Sequence, residues 1–276
     1  MRISYLGPPG THTESAAIEY DPDAQLMPYA TVQGAVSAVE RDEADLAICA
    51  IENALEGAVI ETLIILQNEI LSVNITAEIV IPIKHALVGI PGQSLEKIAT
   101  VHSHPQALAQ CRESLVSLVP NAKPVAALST AAAIDSASQN PNTLAIGNIR
   151  AASPRSLHVY NSDISDNKNN QTRFIALGKN TTHPTGDDKT SLVFTMAYDM
   201  PGSLVDVLSP FAQRKINLSK IESRPTRQQL GTYYFFVDIH GHRDDVVITD
   251  AIKEAQPKTQ WLNILGSYPR WNYQTL

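Results

Sequence analysis

Apolar residues in the first 180 positions recur in short runs at 3–6, 46–51, 99–102, 125–128 and 144–146. Between them, apolar positions three and four apart mark helices at 32–41, 59–68 and 105–118. Strand and helix periods that alternate in this way predict an α/β domain with mostly parallel strands. Two stretches break the rhythm. Residues 71–90 form one long β-branched run, too long for a single strand, and residues 157–164 lead through polar sequence into TRFIALG. A two-lobed domain needs two such extended crossings, one to leave the first lobe and one to return. The pattern predicts lobe one over residues 1 to about 75 plus about 160–179, and lobe two over about 76–159, with a ligand cleft between them.

The composition then shifts. GKNTTHPTGDDK is polar, charged and rich in helix and strand breakers, which predicts a linker over residues 180–188. After it, strand-like sequence at 189–197, 216–223, 232–240 and 259–266 is interleaved with helical sequence at 200–215 and 244–255. The order β-α-β-β-α-β predicts a ferredoxin-like domain over 189–276. Pro210 falls inside the first of its helices, where it lacks the N–H that would bond back to Asp206.

Charge narrows the choice of partner. The net charge is −7 and no run of Lys or Arg occurs, so neither a nucleic acid nor an anionic membrane is an expected partner. An anionic substrate has to be held by a few local donors. The two cysteines, Cys49 and Cys111, lie in apolar surroundings without CxxC spacing, as in a reduced cytoplasmic protein. The first residues, MRISYLGPPG, enter strand-like sequence at once, and no apolar run reaches the ~18–20 residues of a membrane span.

Candidate chemistry sits where strands hand over to helices. GPPGTHTE (7–14) offers backbone N–H groups around Thr11 at a helix start, either as a plain turn or as a carboxylate site. AIENALEG (50–57) ends a strand on Glu52 and Asn53, beyond which ligands bind in open α/β sheets, although Asn also caps helices. HSHPQALAQC (102–111) carries His104 and Gln106 on either side of a helix-starting proline, Pro105, with too few neighbouring ligands for a metal. Ser129-Thr130 and Gly147 occupy further strand-to-helix junctions. Thr172-Arg173 opens a strand and either packs as an ordinary strand entry or faces a substrate. No GxSxG elbow, nucleophilic triad, metal cluster or cofactor motif appears, so the expected chemistry is acid–base or electrostatic, with no metal and no cofactor.

Taken together, YLGPPGTHTESAA, IENALEGAV, HSHPQALAQC, STAAA, NQTRF and the later ESRP resemble the prephenate dehydratase family, in family order over nearly the whole chain. The resemblance implies a two-lobed catalytic domain of the periplasmic-binding-protein kind, followed by an ACT regulatory domain. It implies decarboxylating dehydration of prephenate to phenylpyruvate, with Thr172 as the key catalytic group and Arg173, Glu52 and Asn53 beside it. Thr11, His104, Gln106, Ser129, Thr130 and Phe174 are the implied substrate contacts. The implied effector is L-phenylalanine, held by Gly202, Ser203, Leu204 and Val205 at a helix start and by Glu222, Ser223, Arg224 and Pro225 at a strand end. Three positions depart from the family pattern: His12 stands in place of an aromatic residue, Ala54 in place of serine, and GSLV in place of GALV. The resemblance begins at residue 1, so the expectation is a monofunctional enzyme, assembled as a homodimer or homotetramer. Arogenate dehydratase, a prephenate decarboxylase that keeps the hydroxyl, and a non-catalytic small-molecule sensor are the alternatives.

Overall fold

The computed structural model describes residues 1–68, 72–196, 198, 200–227 and 229–272. The chain runs β1 (Arg2–Leu6), α1 (His12–Tyr20), β2 (Gln25–Tyr29), α2 (Val32–Glu40), β3 (Leu46–Asn53), the two-residue β4 (Gly57–Ala58), α3 (Ile60–Leu66) and β5 (Asn74–Pro82). It continues through β6 (Ala86–Gly89), β7 (Thr100–Ser103), α4 (Pro105–Gln110), α5 (Arg112–Leu118), β8 (Lys123–Ala126), α6 (Thr130–Gln139), β9 (Thr143–Gly147) and β10 (His158–Asn161). It ends with β11 (Gln171–Gly178), β12 (Asp188–Met196), α7 (Ser203–Gln213), β13 (Leu218–Pro225), β14 (Tyr233–His240), α8 (Val246–Ala255) and β15 (Thr259–Pro269). Residues 69–71, 197, 199, 228 and 273–276 of the domains expected from sequence lie outside the described residues.

Three sheets result. The first has the order β2-β1-β3-β11-β5, with β4 paired to β3, and the second has the order β10-β6-β9-β7-β8. The third, β13-β14-β12-β15, is antiparallel throughout and is the ferredoxin-like arrangement. The long β-branched run is two strands of different sheets. The hand-over between lobes therefore comes after Pro82, not near residue 75, because β5 completes the first sheet against β11. The return comes after β10, an edge strand of the second sheet. The single helix expected at 105–118 is broken at Cys111, and the Asp166 carboxylate accepts the N–H groups of Glu113 and Ser114 (both 3.0 Å) at the start of α5.

Local chemistry explains the other helix ends. Thr11, Thr31 and Ser129 each accept a backbone N–H from the first turn of α1, α2 and α6, which satisfies donors that have no helical partner. Pro210 sits inside α7 as expected, and the Asp206 carbonyl that it leaves unpaired accepts from Lys258 Nζ at 3.1 Å.

The third sheet does not hang from a loose linker. Val193, Tyr234, Phe236, Leu265 and Tyr268 join Ala47, Cys49, Ile51, Ile175 and Leu177 of the first sheet in one apolar core. The approach is close enough at Gly266 that a Cβ would stand 2.1 Å from the Ile75 carbonyl oxygen, so only glycine fits there. The opposite face of the first sheet packs Ile48, Phe174 and Ala176 against α1 and β5. The face of β11 toward the third sheet and its opposite face thus carry alternate residues of one strand.

Candidate active site

A cleft of about 750 Å³ opens between the first two sheets. Its wall includes Asn53, Asn170, Thr172 and Phe174 from the first lobe's end, His85, His104, Gln106 and Gln110 from the second, and the starts of α1 (His12, Thr13) and α6 (Ser129, Thr130). Among the described residues no Lys or Arg lines it. Anionic groups entering the cleft meet neutral donors and the positive ends of two helix dipoles, with the carboxylates Glu56 and Glu61 also in the wall.

A β-bulge creates the polar end. Thr172 pairs with Asn53 and Arg173 with Glu52, but Phe174 pairs with Ala50, so β3 takes two steps where β11 takes one. Simple alternation would put Asn53 on the same face as Ile51, in the core shared with the third sheet. The extra residue turns Asn53 to the cleft beside Thr172.

The hydrogen bonds there have a fixed direction. Asn53 Oδ1 accepts the backbone N–H groups of Leu55 and Glu56, both at 3.0 Å. Its Nδ2 therefore donates to Thr172 Oγ1 (2.8 Å) and to Asn170 Oδ1 (2.8 Å). Asn170 Nδ2 then donates to Gln110 Oε1 (3.0 Å), and Gln110 Nε2 to Glu56 Oε1 (2.9 Å). Thr172 acts only as an acceptor in this chain, so its own O–H proton is uncommitted among the described residues and free to donate into the cleft.

Arg173 and Glu52 do not face the cleft. Strand alternation sends Arg173 to the other face of β11, where Nε donates to Glu78 Oε2 (2.6 Å), Nη1 to Asp238 Oδ2 (2.6 Å) and Nη2 to the Tyr268 hydroxyl (2.8 Å). Glu78 also takes Lys189 Nζ (2.7 Å) and the Trp271 N–H (2.8 Å), and Glu52 pairs with Lys220 at 2.8 Å. Asp238, Tyr268, Lys189 and Lys220 all belong to the third sheet, so the arginine of the TRF motif ties the two domains together. Burial opposes its charge, but Tyr268, Asp238 and Glu78 outweigh that and hold its pKa well above the usual value. Asp238 is buried as well, yet Arg173 keeps its carboxyl below the ordinary range.

The remaining expected positions divide. Asn53, His104, Gln106, Ser129, Thr130, Thr172 and Phe174 line the cleft. Thr11 does not: it caps α1, accepting from Glu14 N at 3.3 Å. His85, Gln110 and Asn170, which bear on the cleft, were not singled out from sequence. Gln110 ended a quoted motif, and Asn170 stands two residues before Thr172, which is the usual spacing for a shared strand face.

The effector positions stay apart within one chain. Gly202 starts α7 with φ +92, a conformation that favours glycine, and Leu204 packs into the domain core while Val205 is exposed. The cavity beside that helix start is lined by Tyr198, Met200, Ser203, Asp206 and Lys258. Glu222, Ser223, Arg224 and Pro225 lie on edge strand β13 and do not reach it, because β14 separates β13 from β12.

Comparison with known proteins agrees with this geometry. Residues 3–182 match the prephenate dehydratase family and residues 190–256 the ACT domain. A prephenate dehydratase from Mycobacteroides abscessus is 36% identical over 98% of this chain and 90% of its own. Arogenate dehydratase 1 from Petunia hybrida is 36% identical over 98% of this chain and 67% of its own. The crystal structure of a prephenate dehydratase from Arthrobacter aurescens in complex with L-Phe superposes with a TM-score of 0.91 at 37% identity, covering 98% of this chain and 90% of that one.

Two outcomes are expected. Arg173→Met leaves Asp238 buried without its cation and should cost about 3–5 kcal/mol in denaturant unfolding; a loss under about 1 kcal/mol would show that the ion cluster is not a tie. The second concerns His12, whose pKa is lowered to about 4, by burial first and then by His85. An unfolded histidine binds a proton below about pH 6.5 while the folded one does not, so stability should fall as pH drops from about 6.5 to 4. His12→Phe should make that fall shallower, and an unchanged slope in unfolding experiments would place the titration elsewhere.

Proposed function

The chain belongs to the prephenate dehydratase family, and on that premise we propose that it converts prephenate to phenylpyruvate under feedback control by L-phenylalanine. In that reaction the bond from the ring to its carboxylate breaks and its electron pair moves into the ring. The C–O bond to the ring hydroxyl breaks with its own pair. Carbon dioxide leaves, and the departing hydroxide takes up one proton to become water. Aromatisation supplies the driving force, so no electron-sink cofactor is needed. The protein has to hold two carboxylates and help the hydroxyl depart.

The observation that carries this reading is the Thr172 hydroxyl at the cleft wall, which accepts from Asn53 and has its own proton uncommitted among the described residues. A donor placed where negative charge develops stabilises the transition state more than the ground state. The helix starts at His12 and Thr130 supply N–H dipoles for the carboxylates, with no Lys or Arg in the wall among the described residues. Gln106 and His104 orient the substrate from the second lobe.

In the regulatory half, the start of α7 suits an α-carboxylate and Glu222 suits an α-ammonium. Because one chain keeps these elements apart, we place the phenylalanine site between ACT domains of two chains, in a homodimer or homotetramer. The half-exposed Ile221 on edge strand β13 supports such pairing. Two buried, unpaired cysteines support a cytoplasmic location, and among the described residues no helix is long and apolar enough to cross a membrane.

Thr172→Val keeps the volume and removes the proton. It should reduce kcat by about 100-fold or more with the unfolding midpoint unchanged, and near-normal turnover would remove Thr172 from the mechanism. Running prephenate and arogenate side by side separates the two dehydratase readings by product, phenylpyruvate or phenylalanine. Calorimetry should show phenylalanine binding to the full chain together with loss of turnover, through a coupling of about 1–3 kcal/mol. No binding and an unchanged rate at millimolar phenylalanine would end the regulatory reading.

A further inference from the structure

Two enclosed imidazole nitrogens of cleft-lining residues, His12 Nε2 and His85 Nδ1, have no hydrogen-bond partner among the described residues. Buried polar atoms are normally paired, so an unpaired pair in a cleft points to a ligand. The surrounding amides settle which nitrogen carries a proton. Asn148 Oδ1 accepts the Arg150 N–H at 3.0 Å, so its Nδ2, which donates to Ser15 Oγ at 2.8 Å and to the Thr11 carbonyl at 3.4 Å, is also the atom 3.5 Å from His12 Nδ1, where a second N–H would be repelled. His12 Nδ1 is then an acceptor, and Nε2–H is a free donor. On the other ring, Gln110 Oε1 already accepts from Asn170 and lies 2.9 Å from His85 Nε2. His85 Nε2 is therefore the protonated nitrogen, and Nδ1 is a free acceptor. The rings meet edge to face with centroids 6.0 Å apart.

One orphan donor and one orphan acceptor on two rings in edge-to-face contact select the group that can meet both. A carboxylate or a keto oxygen satisfies His12 but sets a lone pair against His85 Nδ1. An ammonium satisfies His85 and leaves the His12 N–H unpaired. A hydroxyl does both, accepting from one ring and donating to the other. The substrate of the reaction proposed above carries a single hydroxyl, the one that leaves.

We propose that His12 and His85 form the subsite for the ring hydroxyl of the substrate, and for the water it becomes. Donating its proton to His85 fixes the rotation of the hydroxyl. One lone pair then points at His12 Nε2–H, and the other is left for the Thr172 hydroxyl, which reaches His85 through Asn53, Asn170 and Gln110. His12 is a neutral donor here and transfers no proton. His12 is one of the positions at which this chain departs from the pattern of the family it resembles.

The inference rests on the dehydratase reading, and phenylpyruvate separates the two. That product has lost the hydroxyl but keeps the side-chain carboxylate and keto group. His12→Phe, which keeps a ring and removes the donor, should lower kcat/KM for prephenate about 10- to 100-fold, the cost of one unmet buried partner. Its affinity for phenylpyruvate, measured by calorimetry, should stay within about twofold of the unmodified protein. His12→Gln restores an N–H and should recover part of the loss, and His85→Phe, with folding checked by its unfolding midpoint, should show the same split. Equal losses for prephenate and phenylpyruvate, or full kcat/KM in His12→Phe, would overturn the hydroxyl subsite while leaving the dehydratase reading intact. An unmodified protein that turns over neither prephenate nor arogenate would instead overturn the dehydratase reading itself.

Discussion

The guanidinium of Arg173 lies nine-tenths enclosed between two domains, and the rest of the molecule is arranged to keep it charged. Glu78 from the catalytic sheet and Asp238 from the regulatory sheet neutralise it, Tyr268 completes its donors, and Lys189 balances Glu78 in turn. An unpaired charge at such a site would cost several kcal/mol, so the sheets are held in one relative placement by the need to satisfy it. The apolar core they share and the close passage at Gly266 act in the same direction. One residue earlier on the same strand, Thr172 points the opposite way, into the cleft. A pleated strand passing through the domain junction thus presents chemistry on one face and the tie to the regulatory domain on the other.

The cleft relies on direction rather than charge. With no Lys or Arg in its wall among the described residues, it offers helix dipoles and amides whose orientation is dictated by backbone groups at one end. Because Asn53 Oδ1 is committed to two backbone N–H groups, each later member of the chain has only one sense in which it can bond. Thr172 is left as a donor by that constraint, not by any unusual acidity of its hydroxyl. Such preorganisation is well suited to a reaction that carries its own driving force, since little more than placement is asked of the protein.

Much of the architecture was legible in the sequence because it depends on periodicity. The alternation of strand and helix and the order β-α-β-β-α-β follow from local patterns, and the motifs fell at strand ends where ligands collect. The misassigned positions depend on register. Thr172 and Arg173 are neighbours in sequence, and nothing local says which of them faces the cleft. Glu52 and Asn53 carry the same ambiguity, compounded by a bulge that resets the alternation in β3. The division of the 71–90 run depended on which sheet β5 joins, a non-local pairing with β11 almost a hundred residues away. His85 and Asn170 escaped notice because Gln110, a partner of both, lies on an element distant in sequence, whereas the departure at His12 was visible and only its meaning was not.

A double-mutant cycle between Arg173 and Asp238 probes the junction most directly. Unfolding free energies of Arg173→Met, Asp238→Asn and the double variant give the interaction energy, free of the separate costs of each change. A contact of 2.6 Å between buried charges on the two sheets should appear as a coupling of roughly 2–3 kcal/mol. Additive effects, with a coupling near zero, would mean that the domains are held by their apolar core alone and that Arg173 is a bystander.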